Sequence, residues 1–321
     1  MNPQPATRKV KVSPALLSVV IAASILSGHA VARQQHVHKT GLPHDVPDFA
    51  ANPTTRAVRS GAWSAAATWS AERVPGANDV VRIPAGVGVT YDVVGDSALE
   101  SVVVEGSLTF RTDVRTRLIA AVVQVMPSGR LEIGREGAPV DAGVSAEIVL
   151  ANRPLDLKAD PGQYGTALIG LGMIRMHGAV VEPTFARVAA EPLAGQKTLR
   201  LQAASTTGWQ SARLVLPGTS QVPPSSSAHG ESEELVAASV SGAQVGLAAP
   251  LAFNHRGARD LDGKLSFLPH VGNLSRNVVI RSEDPKGTRG HVIFVHRADG
   301  DIRYSLFKDL RRTTTAPPHP T

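Results

Sequence analysis

The 321-residue sequence has no cysteine, only four methionines, 4% aromatic residues and 19% charged residues. The missing cysteine excludes a disulfide framework, thiolate zinc centres and a cysteine nucleophile together. It does not exclude export, because a chain of this length buries enough core to be stable without cross-links. Long stretches rich in Leu, Glu and Lys are also absent, which argues against a helical bundle or a coiled coil. No Gly-x-Ser-x-Gly elbow, phosphate-binding loop, His-Glu-x-x-His pair or dinucleotide fingerprint occurs. No cofactor motif is evident, and calcium is the one ion left open.

What the chain has instead is 29 Gly and 23 Pro between short Val-rich and Ala-rich runs. That alternation predicts many short strands joined by tight turns, and an all-β protein. The formal charge is +6, from 33 bases and 27 acids. Arg8, Lys9 and Lys11 stand in a leader without acids, so the remainder carries only +3. A balance that small, with no basic runs, argues against nucleic acid as a partner.

Residues 1–32 have the three parts of a secretory signal peptide. A basic start is followed by an apolar run from about Ala15 to Leu26 and then by Ala30-Val31-Ala32. The apolar run is too short for roughly 30 Å of hydrocarbon, so no stable membrane span is expected after cleavage. The mature protein is expected outside the cytoplasm, whether periplasmic, cell-surface or extracellular. Residues 33–58 are polar, carry three prolines and read as a flexible leader. Its His36, His38 and His44 have nothing to fix a metal geometry.

From residue 79 an apolar-x-apolar pattern repeats with a glycine between its halves. Val81-x-Ile83 and Val87-x-Val89 flank Gly86, Val102-x-Val104 and Leu108-x-Phe110 flank Gly106, and Val123-x-Val125 and Leu131-x-Ile133 flank Gly129. Period-two alternation marks a strand with one buried face, and glycine permits a sharp corner with φ > 0. Such a unit, repeated every twenty-odd residues, buries its apolar face only by stacking on its neighbours. A β-solenoid is the expectation. A meander of hairpins is the alternative, but no Asn-Gly or Asp-Gly turn joins the rungs.

The same residues carry a family resemblance. Gly61-Ala62-Trp63-Ser64, Thr68-Trp69, Val74-Pro75-Gly76 and Asp79-Val80-Val81-x-Ile83-Pro84-x-Gly86 open it. Val104-x-Gly106-x-Leu108-x-Phe110, Gly129-x-Leu131-x-Ile133-Gly134, Pro139, Ile148-x-Leu150 and Met176-His177-Gly178 follow in order. This pattern resembles the eight-glycine (G-eight) domain of the hyaluronan-binding and hyaluronidase-like proteins and of fibrocystin. The resemblance implies a solenoid-like eight-glycine domain over 59–180, a linking β region over 181–272 with a Pro/Ser-rich loop, and the first coils of a right-handed parallel β-helix over 273–310. A disordered tail is expected at 311–321. Where such proteins continue into further coils, this sequence reads Arg311-Arg312-Thr313-Thr314-Thr315 and stops, so a truncated product, of bacterial type by its Ala-rich stretches, is expected.

The same resemblance implies an acidic polysaccharide of hyaluronan type as the partner. Guanidinium groups bind carboxylates in a bidentate fork. Arg276, Arg281, Arg297 and Arg303, with His291, are therefore the candidate ligand-binding residues. No catalytic residues are assigned. Glycoside hydrolysis needs two carboxyl groups roughly 5–9 Å apart. The acid-rich Glu231, Glu233 and Glu234 stand in a stretch that reads as a mobile loop, a poor holder of such geometry. Asp260-Leu261-Asp262-Gly263 starts like a calcium loop, but its twelfth position is Val271, so a Gly-rich turn is expected. Asp299 and Asp301 read as turn residues, and Trp63 and Trp69 as core. A binding module comes first, ahead of a glycan hydrolase or lyase and of a structural or adhesive β-protein, and this chain alone is not expected to be an enzyme.

Overall fold

The computed structural model describes residues 42, 45–220 and 230–315. The segment expected to be a signal peptide and His36, His38 and His44 lie outside the described residues. Eleven short strands come first: β1 (Thr55–Arg56), β2 (Gly61–Ala62), β3 (Val80–Ile83), β4 (Gly88–Tyr91), β5 (Leu99–Val104), β6 (Ser107–Phe110), β7 (Thr116–Val125), β8 (Arg130–Ile133), β9 (Ala146–Leu150), β10 (Ala167–Gly170) and β11 (Met173–His177). The chain passes back and forth between two parallel sheets. One runs β1-β3-β5-β7-β9, with β10 also paired to the long β7, and the other runs β2-β4-β6-β8-β11. The rungs are in register, Val81 opposite Val102 and Val102 opposite Val123. Hairpins pair antiparallel, so parallel pairing rules out a meander.

Inward-facing Val81, Ile83, Val102, Val104, Leu108, Val123, Val125, Leu131 and Ile133 are fully buried in one apolar core. Trp63 and Trp69 close one end of it, edge to face with ring centres 4.7 Å apart, and Trp69 Nε1 donates to Trp63 O. The expectation for these tryptophans holds. The corner glycines differ from it. Gly86 has φ +80°, but Gly106 and Gly129 lie outside the left-handed region. They are needed because a Cβ would stand 2.1 Å from Val87 O and 2.0 Å from Val104 O. The corner of one rung rests on the carbonyl of the rung before it.

After β11 the chain leaves the two sheets. β12 (Phe185–Arg187), β13 (Thr198–Arg200), β14 (Arg213–Leu216), β15 (Glu233–Ser241) and β16 (Gln244–Leu247) join β19 (His270–Asn273) in a six-stranded antiparallel sheet, while β17 (Ala258–Arg259) and β18 (Leu265–Phe267) form a small hairpin. This region has its own core around Trp209, Leu214, Leu216, Ala237 and Val245. The chain then returns as β20 (Val278–Ser282), β21 (His291–Phe294), β22 (Asp299–Arg303) and β23 (Ser305–Lys308). β20 pairs in parallel with β9, β21 with β10, and β22 with β11. The antiparallel sheet is thus inserted between two consecutive turns of one parallel stack.

The described parts of two stretches expected to be loose, 45–58 and 311–315, are built in. Within 33–58, Val46 and Ala50 are fully buried, and β1 pairs with β3. Gln124, itself fully buried, donates to Pro47 O and accepts from the Phe49 N–H, so this segment is strapped across the outside of the first sheet. In the tail, the Arg311 N–H donates to Gly290 O and the Thr315 N–H to Gln163 Oε1. Both stretches are polar in sequence, but few apolar anchors and backbone bonds suffice to fix these described parts.

Candidate functional site

In a parallel sheet, residues in register stand side by side on the same face. The β20–β23 register sets Arg281 beside Lys308. Val278 and Ile280 point into the core, so alternation turns Arg281 outward. Ser282 Oγ donates to Asp309 O at 2.9 Å and accepts from the Gly290 N–H at 3.0 Å, drawing the 283–290 turn onto the segment after β23. Arg289 N–H then donates to Thr313 Oγ1, and Arg311 N–H to Gly290 O. One corner thus collects Arg281, Arg289, Lys308, Arg311 and Arg312.

The cations there are incompletely neutralised. Glu147 lies 2.9 Å from Arg117 and 3.9 Å from Arg281, and Asp309 is 3.8 Å from Lys308. Glu283 and Asp284 accept hydrogen bonds from Asn152. Arg289, Arg311 and Arg312 form no ion pair with a carboxylate among the described residues, although the Arg312 charge acts on Asp160. Arg312 donates to Gly162 O at 2.8 Å and stands over the Tyr164 ring.

The five candidate residues from the sequence separate in space. Arg281 belongs to this corner. Arg297 is exposed on the turn between β21 and β22 and has no hydrogen bond or ion pair among the described residues. Arg276 is folded back, donating to Asn273 O and Ser275 O, and burial holds its pKa below the usual value. Arg303 is held by Asp301 at 3.0 Å and Glu136 at 3.4 Å. His291 is 9% exposed, with no partner for either ring nitrogen among the described residues. Burial pushes its pKa down, and Arg312 adds to the effect.

Asp299 and Asp301, expected in a turn, lie on β22 itself. The registers of β8, β11 and β22 line up Glu132, Arg175 and Asp301, an alternating charge ladder on the outer face. His177 Nε2 is 2.9 Å from Asp301 Oδ2 but poorly aligned for a hydrogen bond. The Asp260 turn behaves as expected: its Oδ1 accepts from the Asp262 and Lys264 N–H groups, and Gly263 has φ +79°. Among the described residues, no three His, Asp or Glu side chains gather as metal ligands.

Sequence reasoning missed one pair and misread its setting. Glu233 and Glu234 open strand β15 rather than standing in a mobile loop. Fully buried His255 has Nδ1 2.8 Å from Pro217 O and Nε2 2.8 Å from Glu233 Oε1. A carbonyl only accepts, so Nδ1 carries a proton. Burial would raise the Glu233 pKa, but the Ala252 N–H, His255 and the Phe253 N–H hold it below the usual value. No spacing or periodicity near His255 signals this contact.

Residues 68–189 match the model of the G8 domain. The chain carries a G8 domain. That match takes in β3 to β12 and so most of the first parallel rungs. Fibrocystin-L of Homo sapiens is 28% identical over 231 residues, 70% of this chain and 5% of its own length. Protein rliB of Dictyostelium discoideum is 22% identical over 237 residues, 72% of this chain and 20% of its own. The chain therefore spans a small part of the relatives it matches. In both cases the similarity extends beyond a stretch the size of the G8 domain.

Proposed function

We propose that this chain is a recognition module of an exported protein, binding an acidic polysaccharide of hyaluronan type through the corner built from β20, β23 and the segment after them. The observation that carries this reading is the register that sets Arg281 beside Lys308, with Arg289, Arg311 and Arg312 brought to the same corner. A carboxylate on alternate sugar units is matched by repeated guanidinium groups, each a planar donor fork. The stacked parallel rungs support a solenoid that continues, after the inserted antiparallel sheet, as the first coils of a right-handed parallel β-helix. The G8 domain supports an extracellular setting, and among the described residues no helix is long and apolar enough to cross a membrane.

The test is a titration of hyaluronan and other acidic glycans against the folded protein at low and moderate salt, with polymer length followed in the same samples. Binding that weakens with salt and leaves the polymer intact is expected. Arg281→Ala with Lys308→Ala should weaken it about tenfold, the loss of two partly exposed charge contacts of roughly 0.5–1 kcal/mol each. Arg303→Ala should change it little, because Arg303 is already engaged. Shortening of the polymer would transfer the reading to a depolymerising enzyme. A folded protein that does neither would leave the structural or adhesive role.

A further inference from the structure

His291 sits where three stretches of chain meet. It stands beside Ala167 in the β10–β21 register, and alternation turns it to the same side as Ile293. Ala167 and Ile293 belong to the small apolar cluster between the first sheet and the strap, with Val46, Val122 and Tyr164. The His291 N–H donates to Thr166 O, which fastens it to the 160–166 segment. Residues 311–315 grip its two preceding neighbours. The Arg311 N–H donates to Gly290 O, and Thr313 Oγ1 accepts from the Arg289 N–H and donates to Arg289 O. On the other side, Gln163 exchanges two hydrogen bonds with Thr315, and Arg312 donates to Gly162 O. The 311–315 segment is two Arg and three Thr, so polar contacts hold it in place.

Inside this junction the imidazole is 9% exposed, and neither ring nitrogen has a hydrogen bond among the described residues. Burial pushes its pKa down, the Arg312 guanidinium adds to that, and the Thr166 carbonyl opposes it. Of the charged groups on the elements packed there, Arg289, Arg311 and Arg312 have the sign of a protonated ring. Asp160 has the opposite sign, with its Oδ2 on the Gly165 N–H, as do Asp45 and Asp48 on the strap, where Arg82 holds Asp48. Tyr164 is the remaining titratable group. A protonated His291 is therefore a buried cation with no carboxylate partner, set against a second cation. Moving 311–315 away removes Arg312 and lets water reach the ring.

We propose that His291 is a proton-operated latch: protonating its ring releases residues 311–315 from Gly290 and from the 160–166 segment, withdrawing Arg311 and Arg312 from the cationic corner. As regulation of polysaccharide binding this rests on that corner being the binding surface, but the release itself does not and is measured without glycan. With the segment in place the ring is held below the usual histidine value, and once exposed it returns to about 6.5. The released form therefore binds the extra proton and gains as pH falls below that value. Amide exchange of the full chain at pH 7 and pH 5.5, corrected for the intrinsic pH dependence of exchange, reads the release at the Arg311 and Thr315 N–H groups. Their protection should fall about fivefold on acidification, within the limit of tenfold per pH unit for one proton, while β5 and β7 keep theirs. His291→Gln and His291→Phe should each abolish the fall, so either variant that folds decides the test. Asp160→Asn should keep it. Protection unchanged by acid, a fall that persists in the His291 variants, a fall lost in Asp160→Asn, or a loss shared by β5 and β7 would each overturn the proposal. Release by a protein that binds no hyaluronan would support the latch and sink only the polysaccharide reading.

Discussion

A Cβ built on Gly106 would stand 2.1 Å from Val87 O and 2.4 Å from Pro84 O, and one on Gly129 would stand 2.0 Å from Val104 O. Those carbonyls belong to the backbone of the preceding rung and cannot swing away as a flexible side chain can. Gly106→Ala and Gly129→Ala are therefore expected to destabilise the fold by about 2–3 kcal/mol each, as overpacking does. Gly143→Ala, where nothing lies within 4 Å of the added atom, should stay within about 0.5 kcal/mol of the parent. Urea midpoints of the three variants measure the contrast. Asp79 is the second decisive residue. The Arg73 guanidinium holds its carboxyl down at about 2 against the opposing effect of burial, with help from the Gly76 N–H and the Thr54 hydroxyl. A depressed carboxylate stabilises the fold above its unfolded pKa and loses that contribution as pH falls through the folded value. Asp79→Asn should thus cost about 1–2 kcal/mol near neutral pH, the exposed Arg73 end being screened, with the deficit shrinking between about pH 4 and pH 2. A deficit unchanged at pH 2 would show that lost packing, and not charge, is responsible.

At the level of the strand, the antiparallel insertion depends on how the start of β15 is held. Glu233 accepts from the Ala252 and Phe253 N–H groups and from His255, which itself reaches Pro217 O at the end of β14. His255→Ala leaves a buried carboxylate short of a donor, and a loss of about 3 kcal/mol is expected. Glu233→Gln keeps an acceptor for Nε2 and should cost less. Amide exchange would show the loss first at the β14–β15 pairing, while protection of β5 and β7 persists. This element also marks where sequence reading stops. The parallel rungs were legible because period-two alternation and the corner glycines recur locally, within twenty-odd residues. The Glu233–His255 contact joins residues 22 apart across two strands and a turn, and nothing local announces it. The same limit explains the candidate arginines. Spacing along the chain places Arg276 and Arg303 near the coils, but only three-dimensional neighbours decide that one is spent on its own backbone and the other on Asp301. Lys308 joins Arg281 through a register between separate strands, and Arg289 and Arg311 join them through hydrogen bonds between loops far apart in sequence, so no sequence pattern groups them.

For the molecule as a whole, the position of the insertion makes the strongest claim about how the fold is built. The parallel stack is interrupted after β11 and resumes at β20, and the two ends meet: the Ala179 N–H donates to Asn277 Oδ1 at 2.8 Å. The Asn277 side-chain amide in turn donates to Asp141 O and Val144 O, pinning the return to the preceding rung. The two apolar cores are distinct, one with Trp63 and Trp69 and the other with Trp209. Replacing residues 182–274 by a linker of about four residues, a common length for tight connections, should therefore leave the parallel stack folded. The two remaining tryptophans should keep their buried emission, and amides of β9 and β20 should keep their slow exchange. If the cationic corner binds the polysaccharide, its affinity should stay within about twofold of the parent, because every residue of that corner lies on the retained stack. An excised chain that is unfolded would show that the inserted sheet stabilises the rungs on either side of it. A folded chain that no longer binds would place the recognition surface on the insertion instead.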